Sequence, residues 1–300
     1  MINKNSKTYI LKKIADERTQ FYECLRTCVY TMTMAKSGTF DWSSSTYNLK
    51  KGTVACPNDC KYCYIKTIDR RFKRNADFVI DIENLVCDTE PKKVTKNWRK
   101  VTDANSKYIM MPSSHDIFDN NVHDICVVTE KMIDAGHDVL LVSKPRLSCI
   151  RYIINYFDTP KSEFAKRHID FKLTIGSHDN TDIRFWEGNA PLFEERFECV
   201  KLLHSHGYTV GISSEPLLTT DPVRLFHILE PYINSIWFGE MNYSSSLFKV
   251  TTPEDELYLG KLKTIRSQFP SYIKQLMCND KVYWKTGVFR YCHDHQIKID

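Results

Sequence analysis

Cys56, Cys60 and Cys63 fall within Cys56-Pro-Asn-Asp-Cys60-Lys-Tyr-Cys63-Tyr64, with three residues inside the first pair and two inside the second. Thiolates this close on one loop suit a soft metal centre, iron–sulfur clusters among them. A four-iron cubane held by three thiolates keeps one iron without a protein ligand. That position is open to a substrate or cofactor, as the vacant site is on a catalytic zinc. A structural zinc is the alternative reading. No histidine precedes His115, so such a site needs a fourth thiolate, from Cys87 downstream or from Cys24 or Cys28 upstream.

The elements that must hold this loop show as a rhythm from residue 48 onward. Short β-rich runs end in polar clusters, and helical periodicity follows. Tyr47 to Val54 leads into the cysteines, Lys107-Tyr-Ile-Met-Met into Pro112-Ser-Ser-His-Asp116, and Asp138-Val-Leu-Leu-Val into Ser143-Lys-Pro145. Ile169 to Ile175 leads into Gly176-Ser-His-Asp179, Tyr208 to Ile212 into Ser213-Ser-Glu-Pro216, and Ser235-Ile-Trp-Phe into Gly239-Glu-Met-Asn242. Helices are predicted over Val122 to Ala135, Leu147 to Phe157, Ala190 to His206 and Pro222 to Leu229, with Gly136 and Gly207 as stop signals. Six such units predict parallel βαβ connections and an α/β fold, a partial (β/α)6 TIM-like barrel. The polar clusters all sit at the C-terminal ends of the strands, the rim where such barrels build their sites. Lys144, Glu215, Glu240, His115 and His178 recur there. Turn chemistry alone explains the Ser, Gly and Asp but not these.

The chain of 300 residues carries 42% hydrophobic and 26% charged residues and a formal charge of +5, an ordinary soluble composition. Its longest apolar runs have strand length, so no transmembrane helix and no membrane partner is expected. Met1-Ile-Asn-Lys-Asn-Ser-Lys lacks a signal peptide's apolar stretch. With eleven cysteines, the expectation is reduced thiols in a cytoplasmic protein. Residues 1–47 read as an N-terminal helical extension, with a helix from Tyr9 to about Met34 that puts Cys24 and Cys28 on one packing face. Residues 48–242 read as the barrel and 243–300 as a C-terminal extension. The extension has a helix from Pro253 to about Gln268, an aromatic segment Val282 to Gly287, and surface histidines in Cys292-His293-Asp-His295. Within the barrel, 65–106 form a basic insertion with Arg70-Arg-Phe-Lys-Arg74 and Lys92 to Lys100. Either its cations meet phosphates while Phe72 and Trp98 stack on bases, or it is a solvated helix face.

The cysteine motif followed by an aromatic resembles the signature of the radical S-adenosylmethionine (SAM) superfamily. With Met111-Pro-Ser-Ser-His-Asp-Ile117, Val142-Ser-Lys-Pro145, Thr174 to Asp179, Phe185-Trp-Glu187, Glu195-Arg196, Ser214-Glu-Pro216 and Trp237 to Asn242, the chain resembles that superfamily's spore photoproduct lyase-like branch. The likeness runs from about Asn48 to Asn242 and on to Thr286. It implies the same partial barrel, a [4Fe–4S] cluster, SAM and a flavodoxin- or ferredoxin-like electron donor. SAM would be cleaved to methionine and a 5′-deoxyadenosyl radical that abstracts a substrate hydrogen.

Residue by residue, the resemblance makes Cys56, Cys60 and Cys63 the cluster ligands and sets Tyr62 and Tyr64 against the adenine. Ser113 and Ser114 would meet the methionyl amine, Lys144 the carboxylate, and Thr174 or Ser177 the ribose. Glu187, Glu215, Glu240 and His115 would contact substrate or hold the rim together. Two departures stand out. The lyase's hydrogen-donating cysteine has no counterpart in Pro112 to Asp116, which argues against photoproduct repair by that route. Related sequences read Trp-Glu-Pro where this chain has Trp186-Glu187-Gly188. The function expected is modification, isomerisation or repair of a nucleobase or nucleic-acid-linked substrate. The alternatives are a small metabolite or peptide on the same barrel, or a non-catalytic, zinc-stabilised nucleic-acid-binding protein.

Overall fold

The apolar runs pair in the order in which they occur along the chain. The computed structural model describes residues 42–43, 45–49, 56–73, 108–158, 162–241 and 249–294. Strands β1 (Ser45–Thr46), β2 (Tyr108–Met111), β3 (Asp138–Ser143), β4 (Ile169–Thr174), β5 (Thr209–Ser214), β6 (Ser235–Phe238) and β7 (Val282–Trp284) form one sheet, every neighbouring pair parallel. The helices are α1 (Tyr64–Phe72), α2 (Val122–Asp134), α3 (Leu147–Phe157), α4 (Ser162–His168), α5 (Asn180–Glu187), α6 (Phe193–Ser205) and α7 (Pro222–Leu229), then α8 (Pro253–Ser267), α9 (Phe269–Leu276) and α10 (Thr286–Asp294). Parallel strands in chain order with helical crossovers make this the predicted α/β partial barrel.

Two details differ from expectation. Among the described residues the sheet has seven strands rather than six, because the aromatic segment Val282–Trp284 pairs in parallel with Ile236–Phe238. The first strand begins earlier than Tyr47, at Ser45, and Tyr47 N–H continues the ladder to Met110 O at 2.9 Å. The expected N-terminal helix with Cys24 and Cys28, and Cys87, Arg74, Lys92 to Lys100, Asn242 and His295, lie outside the described residues.

Alternate strand residues face opposite sides. Ile109, Leu141, Leu173, Ile212 and Phe238 face outward and are buried in one core with the apolar stripes of the helices. In α3 that stripe is Cys149, Ile150, Ile153, Ile154 and Phe157. Each fully buried aliphatic side chain there contributes about 1.5–3 kcal/mol. The inner face is different. In register across the sheet it presents Lys172 on β4, Gly211 on β5 and Ser235 on β6, with Thr174, Ser213 and Trp237 in the next layer. Hydrophobic burial therefore holds the barrel from outside, while the inner face is apolar on β2 and β3 (Met110, Leu140, Val142) and polar on β4 to β6.

Candidate active site

The cysteine loop is held in place by hydrogen bonds to residues far away in sequence. Lys61 N–H donates to Trp186 O at 2.8 Å, and Asn189 N–H donates to Asn58 O at 3.0 Å. Asn189 Nδ2 donates to Pro57 O at 3.0 Å, and Arg146 Nη2 donates to Asn58 Oδ1 at 2.8 Å. Gly188, just past α5, has φ +53°, and an added Cβ would lie 2.7 Å from Asn58 O. Proline, with φ fixed near −65°, cannot take this conformation. Here the departure from Trp-Glu-Pro has a physical reason.

Within the loop Cys60 is buried, while Cys56 and Cys63 are partly exposed. The thiols lie within electrostatic reach of one another, Cys56 of Cys63 and Cys60 of Cys56. Burial pushes the Cys60 thiol up to about 12, opposed by nearby Lys144, and raises Cys56 as well. Among the described residues no three His, Cys, Asp or Glu side chains are grouped closely enough to hold a single metal ion.

Below the loop, Tyr62 donates its hydroxyl to Glu187 Oε1, and Glu187 Oε2 pairs with Arg196 Nη2. Glu187 and Arg196 are both wholly buried. Arg196 also donates through Nε to Pro191 O at 2.7 Å and through Nη1 to Thr174 O at 3.1 Å, so the cluster reaches the end of β4. Burial works against the Glu187 charge, but Arg196, Lys144 and the Tyr62 hydroxyl reverse it and hold the carboxyl below its usual value. Of the two roles expected for Glu187, its enclosure matches holding the rim.

Asp116 plays a similar part after β2. Its Oδ2 accepts from Asn58 Nδ2 at 2.9 Å. Its Oδ1 accepts from Ile117 N–H at 3.1 Å, Lys144 N–H at 2.9 Å and the Ser143 hydroxyl. One carboxylate thereby joins the cysteine loop to the ends of β2 and β3. Lys144 Nζ stands 5.6 Å from the centre of the Tyr62 ring. Burial opposes its charge, and Cys60, Glu187 and Asp116 outweigh burial, keeping it a cation. Ser113 and Ser114 direct both backbone N–H groups to Asn48 Oδ1, at 2.7 and 2.8 Å, and Asn48 Nδ2 donates to Ser113 Oγ at 2.9 Å. Tyr64, exposed, donates to Ser113 O at 3.2 Å.

The remaining rim residues separate. Thr174 closes β4 on the inner face, whereas Ser177 lies beyond the strand, fully buried, its hydroxyl donating to Asp182 at 2.8 Å and accepting from Asp179 N–H at 3.0 Å. That local turn uses the hydroxyl, which leaves Thr174 as the inward-facing member of the expected pair. His115 is buried with Nδ1 2.9 Å from Asp116 O. Glu215 meets Lys285 at 3.6 Å and Glu240 pairs with Arg266 of α8, on the side of the rim formed by β5 to β7. The sequence reading passed over Asn48, Asn58, Asp116 and Arg196 as site residues. Asp116 and Arg196 lie inside the quoted motifs, but Asp116 meets Asn58 58 positions away and Arg196 meets Glu187 and Thr174 at 9 and 22, spacings that follow no helix or strand period.

The C-terminal helices reach the same loop. Lys61 Nζ pairs with Asp255 at 3.3 Å and lies 3.6 Å above the Phe185 ring, which stacks on Tyr258 of α8 at 3.7 Å. Asp255 also closes a capping box with Thr252 at the start of α8.

No protein-family model and no curated protein matches the chain. Among solved structures it is similar to Streptococcus suis SuiB bound to precursor peptide SuiA, with TM-score 0.53 and 12% identity over 98% of this chain and 57% of that one. It is also similar to SuiB bound to S-adenosylmethionine, with TM-score 0.50 and 12% identity over 93% of this chain and 60% of that one. The chain spans about three fifths of the length of these structures, and the likeness is one of fold.

Proposed function

We propose that this chain is a radical SAM enzyme acting on a peptide. The observation that carries the reading is the position of the three thiols. They share one loop at the barrel rim, fastened from below by Glu187 and Asp116, with the Lys144 cation beside them. The donor set fits a [4Fe–4S] cluster: three soft, free thiols on one loop suit a centre that offers each thiolate its own iron. Cys56, Cys60 and Cys63 would hold the cluster, and Lys144 the carboxylate of SAM. When bound, cluster and SAM supply a 5′-deoxyadenosyl radical after one electron arrives from a flavodoxin- or ferredoxin-like donor.

The chain's own residues bind, orient and shield. Asn48 fixes the Ser113–Ser114 turn that would meet the methionyl amine, Thr174, on the inner face, would meet the ribose, and Tyr62 covers the buried Glu187. The peptide reading draws on the fold shared with SuiB, one of whose structures holds a precursor peptide. A nucleobase substrate is the second reading. It is favoured by Arg71 and the exposed Phe72 at the end of α1, with the guanidinium 5.4 Å from the ring centre.

Anaerobic purification tests the first claim. A brown protein with about four irons per chain is expected, forming 5′-deoxyadenosine from SAM and dithionite. A colourless protein carrying one zinc overturns it. Mass spectrometry of turnover with a peptide pool and with a nucleic-acid digest then separates the two substrates.

A further inference from the structure

A second charged group lies inside the barrel, away from the cysteines. Lys172 on β4 and Lys285 after β7 are 7% and 3% exposed, and both point to the same two indoles. Lys172 Nζ is 5.4 Å from the centre of Trp42 and 5.7 Å from that of Trp237; Lys285 Nζ is 3.6 and 5.3 Å from the same rings. Two lysines brought to the same pair of indoles repel each other when both are charged, a costly burial in a fold that has no use for them. Among the described residues, two carboxylates lie near them, Glu215 beside Lys285 and Asp170 within electrostatic reach of Lys172. Glu215 reaches Lys285 at 3.6 Å, and Lys172 donates to a neutral hydroxyl, Ser235 Oγ, at 3.3 Å. Asp170, further down β4, accepts a hydrogen bond from Tyr108.

The sequence makes room for this arrangement. Gly211 pairs with Lys172 across β4 and β5, and a Cβ there would lie 2.7 Å from Lys172 Nζ. The bare glycine lets the lysine lie across the inner face.

We propose that Lys172 and Lys285 form a subsite for an oxyanion carried by the substrate, with Trp42 and Trp237 as its walls. A carboxylate or phosphate between the ammonium groups would receive charge-assisted hydrogen bonds and offset their burial. The proposal rests on the barrel interior being the substrate chamber of the enzyme proposed above. On the peptide reading the group is an acidic side chain or a C-terminus.

The test uses the anaerobically purified protein at neutral pH, without SAM or reductant. It is titrated with N-acetyl-aspartate methylamide, inorganic phosphate and the neutral N-acetyl-asparagine methylamide. Tryptophan emission is followed, together with acetic-anhydride labelling of Lys172 and Lys285. A saturable emission change and protection of both lysines by an oxyanion, and not by the neutral analogue, are expected. Tighter carboxylate binding assigns a peptide source and tighter phosphate binding a nucleotide source; either supports the subsite. Lys172→Met should weaken binding about tenfold, as for one lost charged hydrogen bond. Gly211→Ala keeps both lysines but displaces Lys172, and should weaken binding too. No saturable response to either oxyanion, or responses unchanged in both variants, overturns the proposal. Because SAM is absent, failure here leaves the cluster reading intact, and a protein that binds oxyanions but assembles no cluster leaves the subsite intact.

Discussion

Arg196 and Glu187 form an ion pair that solvent does not reach, and the pair holds the floor of the cysteine loop. Glu187 takes the Tyr62 hydroxyl from above, while Arg196 ties the ends of β4 and α5 together from below. Such a pair adds little net stability over a well-packed apolar pair, but it is expensive to break on one side only.

Glu187→Gln should therefore leave the Arg196 cation buried without its partner. The expected loss is about 3–5 kcal/mol of folding stability, read from urea midpoints. Glu187→Gln with Arg196→Met removes both charges and should recover part of that loss. If the single variant is as stable as the parent, the pair does not hold the loop as described.

Gly188 gives a narrower test of the same loop. Gly188→Ala puts a Cβ at φ +53°, ψ −105°, a backbone combination that L side chains rarely adopt, and drives it against Asn58 O. The helical circular dichroism should be kept while iron content after reconstitution falls. Iron loading equal to the parent's would show that the loop tolerates the displacement.

Most of the frame was legible in the sequence because it depends on local periodicity. The α3 and α7 spans come out as predicted, and Gly136 and Gly207 take φ of +85° and +79° at the ends of α2 and α6. Strand β7 was missed because three aromatic-rich residues in an extension carry no βαβ signal; only pairing with β6 makes them a strand. In the site, the three thiols stood out by type and spacing, while Lys144 was picked out by its place at the end of β3 and by the resemblance. Asp116 and Asn58 did not, since their side chains meet each other 58 positions apart and Asn58 meets Arg146 88 positions on; Arg196 did not, because only the fold turns its guanidinium inward onto Glu187 and Thr174. The inner lysines were hidden for a related reason: Lys172 in Ile169–Thr174 reads as one polar residue on a strand until register sets it beside Gly211.

The thiols divide into two classes. Cys60→Ala should abolish iron retention and 5′-deoxyadenosine formation. Cys126→Ala and Cys199→Ala, each fully buried in the outer core, should keep both and lose only packing energy, about 1 kcal/mol. Iron and activity retained in the Cys60→Ala protein would refute the ligand assignment.

Lys144→Met separates SAM binding from cluster assembly. The ammonium lies among Cys60, Glu187 and Asp116, and the backbone N–H that fixes the residue to Asp116 is untouched by the substitution. Iron content should be kept, while SAM affinity should fall by about 1.5–3 kcal/mol, the value of a hydrogen bond to a charged group. Equal SAM affinity in equilibrium dialysis would remove Lys144 from the cofactor site.

The inner lysines carry a pH signature that needs no ligand. Burial, and then the charge of Lys285, lower Lys172 from its ordinary 10.5 to about 7, with Asp170 opposing. Below pH 7 both the folded and the unfolded chain hold the proton, and the full cost of the buried charge is present. Between pH 7 and 10.5 the unfolded chain still binds a proton that the folded chain has released, so this group makes stability rise with pH across that window. Lys172→Met removes the titration. The variant should gain stability over the parent below pH 7, and the gain should shrink steadily toward pH 10. Urea midpoints of both proteins at several pH values across the window measure the difference. Parallel pH profiles would mean that Lys172 is charged throughout, its ammonium already matched inside the barrel.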